Sequence, residues 1–122
     1  MKKQDFVRAI KTYTGDSSVY DTIEELNNPI GNPPPLKSIE LSNWYKGLAQ
    51  SDKENVAKAM TEAVNTALFG VLCVLDNVRI IDDYSPEERG KFELFYKTRQ
   101  DKTIRINNPG DDDELHNIFN AL

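Results

Sequence analysis

The residues of this chain whose chemistry could exceed packing are its single histidine, its single cysteine and the acidic run Asp111-Asp112-Asp113-Glu114. His116 follows Asp112 by four residues and Asp113 by three, a spacing that on a helix brings an imidazole beside either carboxylate. Such a pair can act as an acid/base relay or as half of a metal site. With no second histidine, further ligands would have to come from distant acids such as Asp82 or Asp83. The alternative for His116 is a boundary residue beside Leu115 and Phe119. The acidic run suits a helix N-terminus, where anions meet the positive end of the dipole. Capping uses one or two acids, so the others could serve a cation or a basic partner. The run lacks the alternating ligands, glycine and terminal glutamate of an EF-hand. Cys73 lies in an apolar stretch with no electropositive neighbour in sequence, which predicts a buried, unreactive thiol.

Other chemistries find no foothold. One cysteine excludes an intramolecular disulfide and multi-cysteine metal centres. None of Ser17, Ser18, Ser38, Ser42, Ser51 or Ser85 sits in Gly-x-Ser-x-Gly, and there is no Walker loop or dinucleotide glycine fingerprint. No cofactor is therefore expected. The 122 residues carry 15 basic and 20 acidic side chains. Residues 1–58 are balanced at eight of each, so the whole net charge of −5 falls in residues 59–122. An acidic field repels nucleic acid and speeds encounter with a basic protein. The longest apolar run, Ala67–Leu75, is nine residues against the roughly 20 a membrane span needs. Gln4, Asp5, Arg8 and Lys11 interrupt any export signal after Met1-Lys2-Lys3, which, with the lone thiol, points to the cytoplasm.

The elements that must position these residues follow from periodicity. Phe6, Ile10 and Tyr13 predict a helix over 4–13 ended by Gly15; Val19, Ile23 and Leu26 predict another over 17–26. The segment 27–36, with four prolines and a glycine, predicts a stiff connection, Pro33–Pro35 in polyproline II. Ser42 should cap a short helix to Leu48. Ser51-Asp52-Lys53-Glu54 has the form of a capping box, opening a long central helix over about 51–76 that ends at Asp76-Asn77. Its second half is apolar all round and should be covered on several sides, and Gly70 should allow close approach of another backbone. The period then changes to two. Strands at Val78–Ile81, Lys91–Arg99 and Thr103–Asn107 predict a three-stranded antiparallel meander with Phe92, Leu94, Tyr96, Ile104 and Ile106 inward. A short C-terminal helix starts near Asp113.

The expected fold class is α+β, one domain over residues 1–122. A helical N-terminal region, residues 1–50, contains the Pro-rich connection; central helix, meander and C-terminal helix follow over 51–122. On the outer face of the meander Phe95 lies among charged residues, and Tyr84 lies in the loop 82–90. Each is an aromatic contact anchor or is covered by a helix. Acids with aromatics predict a surface for a basic protein, comprising Asp82, Asp83, Tyr84, Phe95, Asp111, Asp112, Asp113 and Glu114.

At Ala67-Leu68-Phe69-Gly70-Val71-Leu72-Cys73-Val74-Leu75-Asp76-Asn77 and Leu115-His116-Asn117-Ile118-Phe119-Asn120 the chain resembles small uncharacterised bacterial acidic α+β proteins of the toxin-immunity type. The resemblance implies a non-enzymatic inhibitor that occludes a basic site on a partner, and no catalytic residues. Two other functions fit the sequence: a small metal-dependent or acid/base enzyme using His116 with nearby carboxylates, and an oligomeric structural protein self-pairing through the Phe95 face or the meander edge.

Overall fold

The computed structural model describes residues 1–107 and 113–122. In order, the elements are α1 (Lys3–Ile10), a π-helical stretch (Lys11–Asp16), α2 (Ser17–Asn27), α3 (Leu36–Lys46), α4 (Gln50–Leu75), β1 (Phe95–Lys97), β2 (Thr103–Arg105) and α5 (Leu115–Asn120). The class is α+β. The chain divides into two compact units, one of Met1–Lys11 with Thr66–Leu122, the other of Thr12–Asn65.

In the Thr12–Asn65 unit the turns of the chain are wider and earlier than periodicity predicts. Gly15 does not end a helix; it is buried within the π-helical stretch, and the helical path runs on into α2. Side chains hold this wider turn. The Ser17 hydroxyl donates to the Thr12 carbonyl five residues back at 3.1 Å, and the Ser18 hydroxyl donates to that of Thr14. α3 begins directly after Pro35, six residues before the serine expected to cap it, because the extended proline delivers a chain already aimed into the first turn. Ser42 is instead buried mid-helix with its hydroxyl unpartnered. The predicted capping box does not form: α4 starts at Gln50, so Ser51 already lies within it. α2 packs on α3 here, and the Lys53 ammonium sits 5.4 Å from the centre of the buried Tyr45 ring.

The other unit holds the main core. Val7 of α1, Leu72 of α4, Ile106, and Leu115 and Phe119 of α5 are buried together, with Phe6, Leu68, Phe69, Leu75, Leu94, Ile104 and Ile118 packed around them. α1 lies against α5, and the Lys11 ammonium stands 5.5 Å over the Phe119 ring. The covering expected around the apolar half of α4 is incomplete, since Val71 stays exposed. By length and apolar content α4 could also cross a bilayer, which the nine-residue apolar run alone would not suggest. The same composition serves a helix whose Leu68, Phe69, Leu72 and Leu75 feed a core. Among the described residues no second backbone approaches Gly70. A methyl group there would meet the Arg79 guanidinium, 2.5 Å away.

Among the described residues the sheet has two strands, not three. β1 and β2 pair antiparallel with Phe95 opposite Arg105, Tyr96 opposite Ile104 and Lys97 opposite Thr103. Leu94, Ile104 and Ile106 point inward as their alternation predicts, whereas Phe92 and Tyr96 are exposed. Two asparagines account for the missing strand. α4 ends in a Schellman motif: Asn77 adopts φ +62°, its amide bonds the Val74 carbonyl, and the Val78 amide bonds that of Cys73. The Asn77 side chain then accepts from the Phe92 amide at 2.7 Å and donates to the Phe92 carbonyl at 3.1 Å. Those are the groups a strand at Val78–Ile81 would have used, so that segment leaves as an irregular loop.

Asn107 completes the junction. It is fully buried. Its amide donates to the carbonyls of Leu75 and Phe92, and its oxygen accepts from the Leu94 amide at 2.7 Å and Arg105 Nε at 2.9 Å. One side chain thus ties the end of α4, the loop base and the hairpin. Asn107→Ala leaves these groups without partners in a dry interior and should lower the unfolding free energy by about 3 kcal/mol. Urea denaturation reads this as a lower midpoint at unchanged slope. A loss under about 1 kcal/mol would mean that water replaces the bonds.

Candidate functional site

The chain's one histidine meets a carboxylate that its sequence neighbourhood does not supply. Asp76 follows the last residue of α4, at the end of a helix whose dipole disfavours an anion. Its side chain is turned to the start of α5 instead. Oδ1 accepts the Leu115 amide at 3.1 Å, and Oδ2 accepts the His116 amide at 2.9 Å. Glu114, the residue before α5, makes no capping bond, so Asp76 caps that helix from 39 and 40 residues away. His116 Nδ1 lies 2.7 Å from Asp76 Oδ2. A carboxylate needs a donor there, which places the imidazole proton on Nδ1. The Phe69 ring stands edge-on to the imidazole at 5.7 Å and limits its rotation.

Glu114 turns inward to the same point. Its Oε2 is shielded from solvent, accepts no hydrogen bond and lies 3.4 Å from His116 Nδ1. One donor atom from each of Asp76, Glu114 and His116 fits within a 4.8 Å cluster. These residue types can share a proton or hold a cation. Of the sequence neighbours proposed for His116, Asp113 takes no part: it is exposed, its carbonyl accepting from Lys3 Nζ at 2.7 Å. Asp112 lies outside the described residues. Asp82 and Asp83 are likewise absent from the cluster. Asp76 read as a helix stop. The available signal was an acid closing an otherwise apolar run.

Cys73 is buried, as predicted. Loss of solvent pushes its thiol above the ordinary value of 9.0; Arg79 opposes the shift, while Asp76 and Glu114 add to it.

The described residues expected to meet a partner are spread over this cluster, the loop, the hairpin and the approach to α5. Glu114 belongs to the internal cluster, and Asp111, like Asp112, lies outside the described residues. Asp82 accepts the Tyr84 amide at 3.1 Å and pairs with Arg89 at 3.5 Å, which folds the loop on itself. Asp83 is exposed and forms no ion pair among the described residues; the same holds for Glu87 and Glu88. Tyr84 is 60% exposed, and so are its neighbours Val78 (55%), Ile80 (57%) and Ile81 (63%). Among the described residues no helix buries Phe95. It is half exposed, with the Arg105 guanidinium 5.4 Å from its ring centre, and Arg105 also pairs with Glu93 at 3.6 Å. The surplus acids are thus partly neutralised within the chain. The exposure of Val78, Ile80 and Ile81 was not legible, because that segment read as a strand; Tyr84 is exposed, as one of its two alternatives expected.

Asp76→Ala removes the acceptor for two helix amides and the imidazole, and should cost about 3 kcal/mol of stability. Asp76→Asn, which keeps an acceptor oxygen, should cost less; equal losses would reject the capping role. For Cys73, the raised thiol means the folded state holds its proton to higher pH than the unfolded chain. That contribution is intact below pH 9.0 and falls as pH rises through it. Native labelling by a thiol reagent near pH 8 should be at least about a hundredfold slower than labelling in denaturant. Comparable rates would place the thiol at the surface.

No protein-family model matches the chain, and no curated protein or solved structure matches it at a significant level.

Proposed function

We propose that the protein is a non-enzymatic binding module, of the kind in which a bacterial immunity or inhibitor protein occludes a basic site on its partner. The observation that carries this reading is the loop between α4 and β1. Val78, Ile80, Ile81 and Tyr84 are all more than half exposed, within seven residues of chain. Scattered apolar side chains at a surface are ordinary, but bulky ones concentrated on a single loop favour association.

The loop is also held in place for binding. Asn77 and Asn107 clamp its base through Phe92, and the Asp82–Arg89 pair closes it internally. A loop already fixed loses less entropy on docking than a free one. The rim supplies charge. Arg79 reaches toward Gly70 and Arg89 is engaged by Asp82, while Asp83, Glu87 and Glu88 on the same loop form no ion pair among the described residues and outnumber its one remaining cation, Lys91. An apolar centre with an acidic rim suits a basic protein: the side chains slow dissociation and the rim speeds encounter. Phe95, with its paired Arg105, offers a second aromatic on the hairpin.

A photo-crosslinking residue at Ile81 identifies the partner in cells of the source organism. The purified pair then tests the surface. Asp83→Lys with Glu87→Lys should weaken binding about tenfold or more, chiefly through slower association, and the difference should shrink at high salt. Tyr84→Ala should accelerate dissociation. Neither change should lower the melting temperature by many degrees, since Asp83, Glu87 and the Tyr84 ring are exposed. A partner bound equally well by all variants would reject this surface.

A further inference from the structure

Independently of the loop, the geometry points to a binding site for one divalent transition-metal ion of the zinc class, formed by Asp76, Glu114 and His116. The ligand set is an imidazole nitrogen and two carboxylate oxygens, with donor atoms within 4.8 Å of one another. An imidazole ligand disfavours calcium and magnesium, which take oxygen donors, and suits zinc, cobalt or nickel. At metal–ligand distances of about 2.0–2.1 Å, tetrahedral ligands lie roughly 3.3–3.4 Å apart. Glu114 Oε2 stands 3.4 Å from His116 Nδ1. The 2.7 Å between Nδ1 and Asp76 Oδ2 must open by roughly 0.6 Å to match.

A second observation separates this cluster from an ordinary cap. Capping explains Asp76 completely, since its oxygens take the Leu115 and His116 amides and the imidazole. It does not explain Glu114. Its Oε2 is shielded from water without a hydrogen bond, facing the imidazole Nδ1 at 3.4 Å beside the buried Asp76 carboxylate, and a cation shared by the three groups would complete it. The surroundings resemble an outer shell that orients ligands: backbone amides fix the Asp76 carboxylate, and Phe69 fixes the plane of the imidazole. On binding, the imidazole moves its proton from Nδ1 to Nε2, so that the Nδ1 lone pair faces the ion and the ring stays neutral. Three protein ligands leave a fourth position for water or a partner's side chain. Glu114 and His116 are only partly buried, so an ion can enter from solvent.

The test uses the untagged full chain after chelation, with zinc or cobalt(II) added alone. Because the chain has one histidine, its ring nitrogens are assigned without ambiguity. Zinc should shift the Nδ1 resonance while the proton appears on Nε2, cobalt(II) should give the visible bands of a four-coordinate site, and saturating zinc should raise the melting temperature by several degrees. Glu114→Gln preserves the Asp76 cap and the fold; it should weaken zinc binding at least about tenfold and remove most of the thermal shift. His116→Ala should abolish the cobalt spectrum. The proposal is overturned if zinc leaves both ring nitrogens unmoved, if Nε2 is the coordinated atom, or if folded Glu114→Gln binds zinc as tightly as the parent.

Discussion

Asp76 stands where two helix ends meet, and the electrostatics of that meeting organise the Thr66–Leu122 stretch of the chain. Alone, an aspartate at the C-terminus of α4 would be repelled by the carbonyls it follows. Alone, α5 would be too short to hold itself, since six residues barely complete one nucleating turn. Joined, each defect relieves the other: the carboxylate finds two free amides and an imidazole, and the amides find an acceptor. Leu115 and Phe119 are thereby held against Leu72 and Val7. The polar contact sets the direction of α5, while the apolar burial supplies most of the free energy.

The next residue turns the same corner toward a different end. Asn77 ends α4 in the left-handed conformation and occupies the backbone of Phe92 with its side chain, an amide imitating a strand. Asn107 takes the remaining groups at that junction. Because side chains do the pairing, the segment from Val78 to Tyr84 is released from any sheet and its apolar residues face solvent. The exposed loop is therefore built from the same polar bonds that fix the core, and its exposure does not signal weak folding.

This explains which features could be read from the sequence. Burial of Cys73, the length of α4 and the inward set Leu94, Ile104 and Ile106 all follow from local periodicity. The asparagine at the end of α4 was legible because the left-handed cap is a one-residue preference. Asp76 with His116, and Asn107 with Leu75, Phe92 and Leu94, depend on partners 13 to 40 residues away. Side-chain-to-backbone bonds leave no period in a sequence. For the same reason Val78–Ile81 read as a strand: its alternation is real, but the pairing partner had been taken. The early start of α3 and the π-helical stretch fail differently. There weak local preferences, a serine as cap and a glycine as stop, yield to a proline that starts the helix sooner and to hydroxyls that bond back along the chain.

The division between framework and function follows from satisfaction of polar groups. Asp76, Asn77 and Asn107 use their hydrogen-bonding capacity within the chain, which is what holds a small fold together. Glu114 Oε2 does not, and neither does the exposed stretch Val78–Tyr84 find a core. Ser42 also carries an unpartnered buried oxygen, but a neutral hydroxyl can rotate and costs far less than a carboxylate. A chain that elsewhere invests one asparagine in four bonds has the means to satisfy a carboxylate or bury an isoleucine. Where it leaves a carboxylate oxygen shielded without a hydrogen bond, with only an imidazole 3.4 Å away, and apolar side chains in water, the completing partner is sought outside the chain.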